Sequence, residues 1–310
     1  MAAPHQGTIG VDINGPMDAK ANVIETVAKW CVHLINSGSL LACMSENVKG
    51  ILARQNGNKS YMQTLKEALE KAAPSFHWDI VTLHTGSYQL PHIRERGWLR
   101  GMHQALGAKI PEPLAPFGKT LLHNFLNPNI PNIHRSALPE NKARNLRDYE
   151  IKIRVLLKHG KVEEDDITVV SIDRAVDKLW SAPLLRNAVP TLTTHNGWLF
   201  LLSCDVVKPD ADRKFFRFLH AAERLPLHGF SPGIAKLLPS ANMCVKAAGN
   251  AYAASTLGAA MAPILSLIAD KYPNGAPELP LTAQPTPATK VFGINKQCCL
   301  LYTSPSPRDS

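Results

Sequence analysis

Apolar residues recur at helical spacing from Asp18 to Asn36, through Val23, Ile24, Val27, Trp30, Cys31, Leu34 and Ile35, and predict an amphipathic helix. Gly38 stands where such a helix ends, because glycine accepts left-handed backbone. Ser39 to Met44 is short and apolar and reads as a buried strand. Tyr61 to Ala72 predicts a second helix, Asp79 to His84 a second strand, and Gly97 to Met102 a third strand after a polar turn. Helices alternating with apolar strands predict a parallel sheet covered on both faces, with a ligand site beyond the strands' carboxyl ends.

From about Ala105 the pattern changes, as Pro111, Pro113, Pro116, Pro128, Pro131 and Pro139 break any regular helix or strand and mark an inserted segment. The acidic run Glu163 to Asp166 lacks the spacing of a metal site and reads as a solvated turn before a strand at Ile167 to Ile172. No metal is expected. Ala251 to Ala269 contains Pro263 and many small residues, which predicts a buried helix and no membrane span. After Pro273 periodicity ends, so a disordered tail is expected. Leu300 to Ser310 resembles translated adaptor sequence and carries no weight for the fold. The expected segments are a core at 1–104, an insert at 105–186, a returning segment at 187–269 and a tail at 270–310.

Composition narrows the class. A 310-residue chain with 45% apolar residues can build a packed α/β core. Its net charge of +9 suits a polyanionic partner. The excess is local: Ala105 to Lys161 holds ten Lys or Arg against four acidic residues. A solvated, loop-rich face accounts for that excess as well as a phosphate-facing surface does. The six cysteines lack both zinc-ligand spacing and disulfide density, which points to a reducing compartment. Met1 to Asn14 has no apolar secretion segment, so an intracellular protein is expected, nuclear if eukaryotic.

Four short elements carry candidate chemistry. Glu46-Asn47-Val48 follows the first predicted strand, where a carboxylate emerges at the sheet's ligand end. Leu90 to Arg96 carries Arg94 and Arg96 in alternation, which projects both guanidiniums to one side of an extended segment. Pro190-Thr191-Leu192-Thr193-Thr194 leads to Glu223-Arg224-Leu225-Pro226-Leu227-His228-Gly229-Phe230-Ser231-Pro232. Ala248-Gly249-Asn250-Ala251 reads as a tight turn opening the Ala-rich helix. Each alone has a bland reading as a cap, a surface ion pair or a turn.

In this order the four elements resemble the cytosine-5 DNA methyltransferase family over about Gly15 to Ile268, with the variable recognition region at the proline-rich insert. Three departures stand out: His92 replaces the family's Gln, Pro226 replaces a common Arg, and Ser231 separates Phe230 from Pro232. The resemblance implies a Rossmann-like, S-adenosylmethionine-dependent α/β methyltransferase sheet, incomplete here, with an inserted target-recognition region. It implies methyl transfer from S-adenosylmethionine to C5 of a flipped cytosine in DNA. Glu46 would serve N3, Arg96 would hold O2, and Arg94 would orient Glu46 or a phosphate. Asn47, His92 and Thr191 would position the substrate, and Gly249 and Asn250 would line the cofactor. The family's Pro-Cys nucleophile and glycine-bearing first strand are expected before Gly15. No cysteine here follows a proline, so the chain as numbered is expected to be inactive alone. Two other readings stay open: a non-catalytic nucleic-acid-binding remnant, and a methyltransferase of RNA cytosines.

Overall fold

The computed structural model describes residues 19–53, 59–173, 175–176, 184–194 and 198–275. Met1 to Asn14, the tail beyond residue 275, Cys298, Cys299 and Leu300 to Ser310 lie outside the described residues. In chain order the elements are α1 (Ala19–Asn36), β1 (Ala42–Val48), α2 (Tyr61–Ala72), β2 (Phe76–His84), β3 (Glu95–His103), α3 (Glu140–Lys158), β4 (Ile167–Ser171), β5 (Leu199–Ser203), β6 (Phe216–Phe218), α4 (Ala221–Arg224), α5 (Ile234–Leu237), α6 (Ala241–Asn250) and α7 (Ala254–Lys271). Short 3-10 turns join several of them. The chain is mixed α/β, as the sequence predicts, and divides into two compact units.

The first unit comprises the chain up to Leu83, Glu95–Ala115 and the chain from Thr256. Helix α1 ends as predicted. Gly38 has φ of +74°, its N–H bonds Ile35 O at 2.9 Å, and Ser39 N–H bonds Leu34 O at 2.9 Å, the paired closure of a Schellman end. Helix α2 opens with a reciprocal cap in which Ser60 Oγ accepts from Gln63 N and Gln63 Oε1 accepts from Ser60 N. The sheet order is β1-β3-β2, with Ile35, Ile51, Met62, Leu69, Phe76, Trp78 and Leu99 in the core. Across this sheet Arg100 makes a bidentate pair with Asp79 and donates to Ala260 O on α7.

The second unit comprises His84–Arg94 and Pro116–Ser255. Its sheet runs β4-β5-β6 and is covered on both faces. Ile167, Val169, Leu199 and Leu201 enter one apolar cluster, and Val170, Phe200, Leu202 and Phe216 enter another. That two-faced burial explains the uniformly apolar strands Ile167-Thr-Val-Val and Leu199-Phe-Leu-Leu.

Three expectations are corrected. The pairs β1–β3, β4–β5 and β5–β6 are antiparallel; in the first sheet the crossover helix α2 joins β1 to β2, which flank β3 and are not neighbours. The insert is not without regular structure, since α3 runs for 19 residues immediately after Pro139. Its buried face, Ala143, Leu146, Tyr149 and Ile153, has helical spacing that the preceding prolines obscured. Asp166 is not solvated: it is buried, pairs with Arg186 Nε at 2.6 Å and accepts from Asn187 Nδ2. Among the described residues no single helix is long and apolar enough to cross a membrane.

Candidate functional site

Glu46, Asn47 and Arg96 belong to the first unit; His92, Arg94, Thr191, Gly249 and Asn250 belong to the second. The Glu46 triplet does not follow a strand but completes one, since β1 extends to Val48. Polar residues suit that stretch because the strand is only half-buried. The antiparallel register sets Glu46 opposite Trp98 and Val48 opposite Arg96. Glu46 and Arg96 are therefore diagonal neighbours on one face, within reach of a long side chain. Arg96 Nε lies 3.0 Å from Glu46 Oε1, and the two side chains are only 14% and 5% exposed. A carboxylate and a guanidinium thus sit side by side in a protected place, one an acceptor and the other a fork of donors.

Asn47 is the next residue along the strand. It lies in β1, and its Oδ1 accepts from Val48 N at 2.8 Å, beside the 3-10 turn that follows. Lys49 and Glu95 add an exposed pair at 2.7 Å near the same strand ends.

In the second unit the turn before β3 is held firmly. Arg94 is buried, and its carbonyl accepts from Thr85 N. His92 is fully buried and bridges Val189, and its Nε2 accepts from Leu192 N at 3.2 Å. Thr191 Oγ1 donates to Ile93 O at 2.8 Å. The sequence elements around Arg94 and Thr191, about a hundred residues apart, therefore meet as one structure. The reading missed His228, whose ring packs edge-on against His92 at 4.6 Å. It stood inside the quoted Glu223 to Pro232 element, but nothing in the linear order tied it to His92.

Ala248-Gly249-Asn250 does not open a helix; it closes α6. A Cβ on Gly249 would lie 2.3 Å from Thr194 N and 2.6 Å from Thr193 C, both backbone atoms. The glycine is thus explained by close packing of α6 on the Thr193–Thr194 segment, and it leaves no cradle for a cofactor at that Cα. Asn250 is half-buried at the end of α6. Gly249→Ala is expected to destabilise the chain by about 1–3 kcal/mol through overpacking. Thermal unfolding without any ligand would register this, and unchanged melting would assign the glycine to ligand binding.

The described cysteines differ: the hydrogen bond with Cys43 draws the Cys31 thiol below its ordinary value, against the opposing effect of burial. Burial, with Asp166 and Asp205 adding to it, pushes the Cys204 thiol up to about 12. The neighbouring Cys31 thiol and burial push Cys43 far above the ordinary thiol range.

Comparison with known proteins followed from these features. The sequence profile of the C-5 cytosine-specific DNA methylases matches residues 30–199, more than half of the chain. No curated protein matches it. Solved structures similar to it include the Entamoeba histolytica methyltransferase EhMeth, 13% identical with a TM-score of 0.44 over 81% of this chain and 71% of that one. A putative DNA modification methyltransferase encoded within an Escherichia coli prophage is 14% identical, with a TM-score of 0.48 over 86% and 77%. A variant of Spodoptera frugiperda DNMT2 is 14% identical, with a TM-score of 0.47 over 82% and 75%.

Proposed function

The chain belongs to the C-5 cytosine-specific DNA methylase family, and from that premise we propose that it grips a cytosine flipped out of DNA by its pairing edge for methylation at C5. The observation that supports this reading is the sheltered pair of Glu46 and Arg96, 3.0 Å apart on one face of the β1–β3 ladder. C5 of cytosine is a poor nucleophile until a thiolate has added at C6, and that addition needs a proton or a strong hydrogen bond at N3. Glu46 holds that proton at N3, while Arg96 donates to O2 through a charge-assisted bond. S-adenosylmethionine, the methyl donor of this chemistry, supplies an electrophilic methyl group when bound; Asn250 is the residue that the family resemblance would assign to it.

Extruding the base costs a few kcal/mol, which backbone contacts must offset. The local excess of six positive charges between Ala105 and Lys161 provides that attraction, and a protein of this kind loses DNA as salt rises.

No described cysteine follows a proline, and we infer that the residues described here hold the base without starting the reaction. The purified 310-residue chain is expected to retain duplex DNA at low salt and to transfer no tritiated methyl group to it. Failure to retain DNA would refute the proposed partner; methyl incorporation would refute the missing nucleophile and leave the base-holding role intact.

A further inference from the structure

Between Arg213 and Ala269 the chain carries six Lys or Arg and one carboxylate, Glu223. That carboxylate is saturated. Its Oε1 accepts from Arg217 Nη2 and Asn127 N, both at 2.7 Å, and its Oε2 accepts from Arg217 Nη1 and His220 N, both at 2.9 Å. Arg213 finds its counter-charge elsewhere, in Glu150 on α3. Among the described residues Arg224 has no such recourse. It ends α4 only 2% exposed, and its Nε and Nη1 are buried without a hydrogen-bond partner.

The elements next to it in the chain supply none: the turn Pro226–His228, α5 and α6 contain no acidic residue. Burial alone draws the Arg224 guanidinium down to about 10, with no opposing charge to hold it up. It therefore remains a cation at neutral pH. A buried cation without a partner is costly, and native proteins compensate such groups almost without exception. Among the described residues nothing compensates it, which leaves room for a ligand to do so.

We propose that Arg224 is the anchor of an anion site in the second unit that takes a phosphate oxyanion. Guanidinium suits that ligand because it is planar, always ionised and rich in donors. Two sources share this chemistry, a backbone phosphodiester of DNA and a small phosphorylated molecule. The first rests on the function proposed above; the site itself does not.

The test is thermal unfolding of the full 310-residue chain in phosphate-free buffer and in inorganic phosphate at matched ionic strength, for wild type, Arg224→Met and Arg224→Gln. Wild type should melt higher in phosphate, by roughly 2–4 °C for each tenfold or so gained in folded population. Both variants should melt at or above wild type without phosphate, since an uncompensated charge has been removed, and should show no response to it. Equal phosphate responses in all three proteins, no response in wild type, or lower melting of both variants in phosphate-free buffer would each overturn the proposal. A DNA arm then separates the sources. If phosphate competes with a short duplex, and the variants lose about one unit of salt slope, the anion is a DNA phosphate. If duplex binding is unchanged while the phosphate response is lost, the anion belongs to a free phosphorylated ligand. Because the cytosine-holding role is tested at Glu46 by a different readout, either idea can fail alone.

Discussion

Glu46→Gln is expected to remove, by about 10- to 100-fold, most of the cytosine-over-thymine preference proposed for the Glu46–Arg96 pair, with little change in melting temperature. Cytosine presents an amino group at N4, an acceptor at N3 and an acceptor at O2; thymine presents O4 and N3–H instead. A carboxyl group beside a guanidinium matches the first pattern, since the acid serves N3 and N4 while the guanidinium serves O2. A well-placed pair of contacts of this kind is worth about 1–3 kcal/mol of discrimination. Glutamine can rotate its amide to suit either base, so selectivity falls. It still offers an oxygen to Arg96 Nε, now 3.0 Å from Glu46 Oε1, so the β1–β3 ladder keeps its cross-strand contact. In any form of the protein that transfers methyl, the same substitution removes acid assistance at N3, a loss of about 10²–10⁴-fold. Competition binding of two single strands that differ in one cytosine or thymine provides the measurement. Unchanged selectivity in a correctly folded Glu46→Gln protein would remove Glu46 from the base-holding role. Arg96→Lys should also lose selectivity, because an ammonium keeps the charge but not the planar fork.

Glu223→Ala should be the most damaging single change to the stability of the second unit, at about 3–5 kcal/mol. The carboxylate closes four hydrogen bonds, and its main partner, Arg217, is only 1% exposed. Removing the acid strands a buried guanidinium and leaves two backbone N–H groups, of Asn127 and His220, without their acceptor. That is a large fraction of the 5–15 kcal/mol by which a folded domain is usually stable. Urea unfolding should show a much lower midpoint. The double change Arg217→Met with Glu223→Leu should recover a substantial part, because two well-packed apolar groups avoid the desolvation of both charges. A midpoint in Glu223→Ala close to wild type would mean that water reaches this pair. The contrast with Arg224 is instructive: adjacent residues on α4, one charge fully compensated and one not, predict opposite signs on truncation.

Local signals in the chain were read accurately where the structure obeys local rules. The end of α1 at Gly38 and the span of α2 depend on residues within one turn of each other, and both follow from the sequence. Strand boundaries were displaced by a few residues. Ser45, Glu46 and Asn47 look like a loop, yet they belong to β1 because β3 supplies their hydrogen bonds from fifty residues away. Helix α3 was hidden by the prolines before it, although Pro139 ends at its threshold and its buried face has plain helical spacing.

By itself, then, the order of the Glu46, Arg94–Arg96, Thr191, Glu223 and Asn250 elements determined the family, the α/β class and the charge that suits DNA, because motif order and composition survive without knowledge of any contact. Only the tertiary structure decided that Glu46 meets Arg96, that His92 packs edge-on against His228, that Gly249 admits a backbone, and that Arg224 meets no acid among the described residues. These are pairings across strands and between distant segments. Register and burial fix them, and neither is written in any single stretch of chain.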